Sequence, residues 1–241
     1  MTKIRLFIDH PLGPGQGIPL SGDHAHYLSN VMRMGAGQDI AVFNGRDGEW
    51  RATIAQLGKR GGTAQAVAQT APQRDPPDLW LVFAPIKKAR TDFIVEKAAE
   101  LGAARILPVQ TDHTNSERIR QDRLQAHAVE AAEQCGGTHV PQVAPLTPLP
   151  RLLDGWDGSR RILWADESLA GPARLLSELE PGPWAILIGP EGGWSESERA
   201  RLRGLPHVVP VSLGPRILRA DTAAVAAIAL WQAALGDWNP S

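Results

Sequence analysis

One cysteine and one tyrosine stand in 241 residues, and neither acidic nor basic side chains are in marked excess. The lone thiol, Cys135, excludes an intramolecular disulfide and fits a reducing compartment. Lys and Arg number 25 against 26 Asp and Glu, a net charge of −1, so the chain has no global pull on a polyanion. Any such partner has to be held by a local patch. Long hydrophobic runs are missing too. The longest, residues 223–231, is too short and too alanine-rich to span a bilayer, and Asp9 interrupts the first residues where a secretion signal needs its apolar centre. These features predict a soluble, cytoplasmic protein without a membrane segment. His24 and His26 form a close pair with no second ligand pair at zinc spacing, which argues against a metal.

What is present divides the chain in two. Residues 1–72 read as β-rich: Ile4, Leu6 and Ile8 alternate with polar neighbours, and an apolar run at 40–43 meets Asn44-Gly45 and Asp47-Gly48 before residues 50–54 resume. Tyr27, Leu28, Val31, Met32 and Met34 fall near helical spacing over 23–34. A small barrel with one helix accommodates both patterns. Residues 71–78 then carry three prolines and three charges, which neither a helix nor a central strand tolerates. Over 78–241 strands and helices alternate. Buried-type strands are expected at 79–84, 105–109, 162–165, 184–188 and 208–213, with helices at 91–101, 116–135, 174–179, 196–202 and 222–235. That grammar gives an α/β domain on a parallel sheet. The connector holding Pro141, Pro145, Pro148 and Pro150 is too interrupted for a long helix, and the last helix is apolar all round, the mark of burial on more than one side.

Two strand-to-loop junctions stand out. The first is Gly189-Pro190-Glu191-Gly192-Gly193, followed by Ser195 and Glu198 at capping-box spacing. Loops at the carboxyl ends of parallel strands are where ligands approach bare backbone, yet glycines also serve a tight turn. The second is Leu213-Gly214-Pro215-Arg216-Ile217-Leu218-Arg219. Arginine suits phosphate and planar stacking, and an apolar pair beside open backbone suits an adenine ring. Two solvated arginines flanking a core-directed pair is the other reading. Neither loop has the spacing of a phosphate-binding or dinucleotide fingerprint, which argues against a nucleotide hydrolase or a dehydrogenase. Ser195 lacks the closing glycine of a hydrolase nucleophile turn, since Ser197 stands there.

These two loops, in this order, together with Glu96-Lys97-Ala98-Ala99-Glu100-Leu101-Gly102, Glu130-Ala131-Ala132-Glu133-Gln134-Cys135, and His26-Tyr27-Leu28 with Met32-Arg33-Met34, resemble the RsmE-type ribosomal RNA methyltransferases of the SPOUT superfamily. The resemblance covers nearly the whole chain. It implies a PUA-like RNA-binding β-barrel at 1–72 and, at 78–241, a SPOUT-type parallel sheet whose carboxyl-terminal segment forms a trefoil knot. It implies S-adenosylmethionine as methyl donor, uridine N3 of 16S ribosomal RNA in the small subunit as acceptor, and a homodimer. Carried over residue by residue, it assigns the cofactor pocket to Gly189, Pro190, Glu191 and Gly192 on one side and Leu213, Gly214, Ile217 and Leu218 on the other, with Trp164 as a third contact.

Methylation at N3 needs the uracil anion, and a cation near O2 or O4 stabilises it. Arg219 is the candidate for that catalytic role, the other reading being an arginine that ties the loop to a carboxylate. Arg216 is assigned to RNA phosphate, and Arg33, Arg46, Arg51, Lys87, Lys88 and Arg90 either track phosphates or are merely solvated. Two departures from the family pattern are Gly137, where arginine is common, and Ala220-Asp221, where Thr-Glu is usual. A non-catalytic RNA-binding factor that kept the fold is the alternative function.

Overall fold

The computed structural model describes residues 4–115, 118–169 and 179–238. The chain separates into two compact units, Met1–Asp75 with Ala132–Val140, and Pro76–Ala131 with Pro141–Ser241.

In the first unit five strands form one sheet: β1 (Arg5–Phe7), β2 (Gly17–Leu20), β3 (Asp39–Phe43), β4 (Glu49–Gly58) and β5 (Gly61–Ala71), in the order β1-β3-β4-β5-β2. β1 runs parallel to β3, and every other pairing is antiparallel. The alternation seen in the sequence places Leu6, Ile18, Ile40, Val42 and Ile54 in a common core. Between β3 and β4 the Asn44 carboxamide accepts from the Arg46 and Asp47 amides and donates to Asp47 Oδ2 at 2.6 Å, so one side chain templates the turn. The helix expected over 23–34 is shorter: α1 (Gly22–His26) opens into a wide π-type turn, Tyr27–Val31, and Arg33 takes a left-handed φ of 54°. His24 has a structural task here, closing a capping box with Ser21.

The second unit contains β6 (Leu79–Phe83), α2 (Lys88–Glu100), β7 (Arg105–Gln110), α3 (Gln121–Cys135), β8 (Gln142–Val143), β9 (Thr147–Pro148), α4 (Leu149–Asp154), β10 (Arg161–Ala165), β11 (Trp184–Ile188), α5 (Glu196–Arg203), β12 (Val208–Val211) and α6 (Ala220–Leu235). The last turn of α3 belongs to the first unit. Strand order is β12-β10-β11-β6-β7-β8, with β9 also on β7, and all pairings are parallel. All five residues of β11 are buried, as expected for a strand covered on both faces. β11 lies between β10 and β6, so successive strands reach it from both directions, and the carboxyl ends of β11, β10 and β12 stand side by side.

The proline-spaced connector holds more structure than its prolines suggested. Two short strands and α4 fit between them because Pro148 precedes the helix and Pro150 occupies its first turn, where no amide hydrogen is needed. The third helix begins at Gln121 rather than 116, and most of the helix expected at 174–179 lies outside the described residues. α6 buries Ala223, Ala224, Ala227, Ile228 and Trp231 along one face, and its Gln232 donates to the Leu101 carbonyl at 2.7 Å. Among the described residues no helix is long and apolar enough to cross a membrane.

Candidate cofactor-binding site

The apolar ladder of β11 stops at Gly189-Pro190, because proline has no amide hydrogen to donate. The Gly193 amide folds back onto the Pro190 carbonyl at 3.0 Å, and Ser195 then starts α5. Its hydroxyl accepts from the Glu198 amide while Glu198 accepts from the Ser195 amide at 3.0 Å. The loop has two further anchors. Glu198 also accepts the Asp112 amide at 2.9 Å, and His113 Nδ1 donates to the Gly192 carbonyl at 2.9 Å. A methyl on Gly189 would lie 2.8 Å from the Trp194 ring, and one on Gly193, at φ 69°, would lie 2.3 Å from Glu167 Oε1. Close approach therefore requires both glycines.

The second junction leaves β12 through Ser212, whose hydroxyl accepts the Gly214 amide at 3.2 Å. Gly214 sits at φ 116° with open space where a side chain would start. Ile217 is 82% exposed, an unusual setting for a large aliphatic side chain. Arg219 is the amino-terminal cap residue of α6, and both it and Arg216 are exposed.

These junctions converge on a cavity of about 350 Å³ at the carboxyl ends of β10, β11 and β12. Gly189, Pro190, Glu191, Leu213, Gly214, Arg216, Ile217, Leu218 and Arg219 line it, and the first turn of α6 contributes Ala220 and Ala223. Two assigned pocket residues are placed differently. Trp164 is fully buried, packed edge-on against Trp194 with ring centres 6.1 Å apart, and is absent from the cavity wall because its strand turns it into the core. Gly192 backs onto His113 instead of the cavity.

The third wall is Ala165, Asp166, Glu167 and Leu169, just past β10. Sequence reasoning passed over this acidic pair, although its place at a strand's carboxyl end was the available signal. Arg199 on α5 bonds both carboxylates, and Arg203 reaches Asp166 at 3.3 Å. Burial alone would push the Asp166 carboxyl up, but the Ser168 hydroxyl and amide and the Arg199 guanidinium outweigh it and hold it below the usual carboxylate range. Its contribution to stability is thus fully present above the unfolded value of about 3.9 and is lost as pH falls through the lower folded value. Asp166→Asn is expected to cost about 2 kcal/mol at neutral pH and to flatten the loss of stability on acidification. Denaturant unfolding at pH 7 and pH 3 checks this; equal acid sensitivity in both proteins would contradict it.

The residues assigned to RNA have varied settings. Arg33, Lys87 and Lys88 are exposed, Arg46 lies 3.5 Å from Asp9, and Arg51 pairs with Asp39 at 3.0 Å. Arg90 is tied to Glu191 at 2.9 Å and faces Asp221 at 3.8 Å.

An RNA methyltransferase domain family model matches residues 73–232, and an RNA methyltransferase PUA domain model matches residues 20–67. The ribosomal RNA small subunit methyltransferase E of Rickettsia conorii is 30% identical over 95% of each chain. The chain belongs to the ribosomal RNA small subunit methyltransferase E family. Its Synechocystis relative of the same name is 32% identical over 88% of this chain and 71% of its own. A family member from Neisseria gonorrhoeae, solved bound to S-adenosyl methionine, superposes with a TM-score of 0.89 at 29% identity, covering 98% of this chain and 99% of its own. The cavity's volume falls within the range of small-molecule sites, roughly 300–1,000 Å³. Its lining combines apolar side chains and the open Gly214 backbone with three carboxylates, Asp166, Glu167 and Glu191, and two arginines, Arg216 and Arg219.

Proposed function

We propose that this protein uses S-adenosylmethionine to methylate N3 of a uridine in 16S ribosomal RNA, in the cytoplasm and as a homodimer. The observation that carries the reading is the convergence of two Gly-Pro loops and the start of α6 on one cavity. Membership of the family gives the reaction class. When bound, the cofactor would supply a sulfonium methyl for transfer to N3 in exchange for the N3 proton.

The chain's own work is to hold the reactants and favour the anion. Gly189, Pro190, Glu191, Leu213, Gly214, Ile217 and Leu218 line one pocket, whose backbone and apolar groups would hold the donor. Positioning of this kind contributes up to about 7–11 kcal/mol in favourable cases. Arg219 caps α6, where the positive end of a 16-residue helix adds to its guanidinium charge, and both favour negative charge on the uracil carbonyl oxygens. Arg216 stands on the same rim for RNA phosphate.

Lys87 and Lys88 mark a second phosphate position. α2 begins with these two ammonium groups, has no acidic residue in its first turn, and lacks a side-chain cap, so free amides and positive charge coincide there. Arg33, Arg46 and Arg51 would extend RNA contacts on the amino-terminal unit. Support for the homodimer comes from Leu230 on α6 and Phe93 on α2, which remain 44% and 39% exposed.

Calorimetry with S-adenosylmethionine separates the enzyme from a non-catalytic RNA-binding factor. Micromolar binding is the expected result; no binding favours the factor.

A further inference from the structure

We propose that Arg90 is a positioning residue that holds the two cofactor loops in register, and not an RNA ligand. The inference rests on the cofactor reading of the cavity and names the part that keeps its halves together. The two halves belong to separate loops. Glu191 sits beyond the end of the β11 ladder, in a loop that the Gly193–Pro190 and His113–Gly192 bonds hold on one side only, while Asp221 lies in the first turn of α6, two residues past Arg219. One guanidinium meets both: Arg90 Nη1 donates to Glu191 Oε1 at 2.9 Å, and its Nε faces Asp221 Oδ2 at 3.8 Å.

The third body is rigid. α2 is pinned to the core by Ile94, Val95 and Ala98, all almost completely buried, so Arg90 projects from a fixed base. Asp221 is oriented from the other side, since its Oδ1 accepts the Thr222 amide at 2.9 Å. Without Arg90, Glu191 of the first loop and Asp221 at the start of α6 would lose the counterion they share. A planar guanidinium can satisfy both through different nitrogens, whereas a lysine ammonium is a single point charge and engages one at a time. Two carboxylates beside the guanidinium offset its charge, which weakens its pull on phosphate.

The test is calorimetry of S-adenosylmethionine with wild type, Arg90→Ala, Arg90→Lys and Glu191→Gln, alongside the salt dependence of binding to a 16S ribosomal RNA fragment. Cofactor affinity is expected to fall about tenfold in Arg90→Ala, the scale of one lost charged contact, and about threefold in Arg90→Lys and Glu191→Gln. The slope of log affinity for RNA against log salt should stay as in wild type. Glu191→Gln alters an exposed partner without emptying a packed position, so it keeps the test open if Arg90→Ala folds poorly. Unchanged cofactor affinity with a slope shallower by about 0.7–0.9 would place Arg90 on an RNA phosphate and overturn the inference. A wild-type chain that takes up no cofactor overturns the cofactor reading as well. Wild-type binding with unaltered variants overturns this inference alone.

Discussion

Arg219→Ala is expected to lower methyl transfer about a hundred- to a thousand-fold, the usual effect of deleting one group that stabilises a developing anion. S-Adenosylmethionine affinity should change less than about threefold, since the apolar and backbone walls that hold the donor are untouched. The division follows from placement. Arg219 is exposed at the cavity rim as the cap residue of α6, and among the described residues no ion pair joins it to a carboxylate. It is therefore free to meet an acceptor from solution. Single-turnover kinetics with saturating cofactor measures the chemical step, and calorimetry measures the affinity. Full turnover in the variant would remove Arg219 from the mechanism. A parallel loss of cofactor binding would instead assign it to holding the donor.

Gly189→Ala is expected to weaken cofactor binding about ten- to a hundred-fold. The added methyl would lie 2.8 Å from Trp194 Cε2 and 2.9 Å from its Nε1, closer than real contacts allow. Trp194 is only 4% exposed and is wedged against the fully buried Trp164. The indole has nowhere to go, so the 189–193 loop must shift into the space it shares with the cofactor. Overpacking of this kind costs about 1–3 kcal/mol, equivalent to one or two decades in affinity if expressed at the site. Titration calorimetry together with thermal unfolding checks it. Native affinity in a well-folded variant would show that the loop's position does not govern binding.

Within the second unit, elements differ in how legible they are in the sequence. Strand 184–188 coincides with β11, and the Ser195–Glu198 capping box is formed as its spacing predicted, because burial and capping are local properties written in adjacent residues. The short strands β8 and β9 were invisible, since two-residue pairings carry no periodicity of their own. The site divides along the same line. Both glycine loops are readable as loops at strand ends. The carboxylate–arginine network is not, since Asp166 and Arg199 are 33 residues apart and Arg90 and Glu191 are 101 apart. The family resemblance assigns Trp164 to the pocket, but alternation along β10 directs it to the opposite layer. Asp166 and Glu167 then take the wall that Trp164 was expected to form.

Mass spectrometry of 16S ribosomal RNA nucleosides from cells lacking this protein, complemented with the wild-type chain or with Arg219→Ala, tests the proposed function most directly. The expected result is one N3-methyluridine that is absent from the deletion strain, restored by the wild-type chain and not by the variant. An unchanged nucleoside profile across all strains would contradict it.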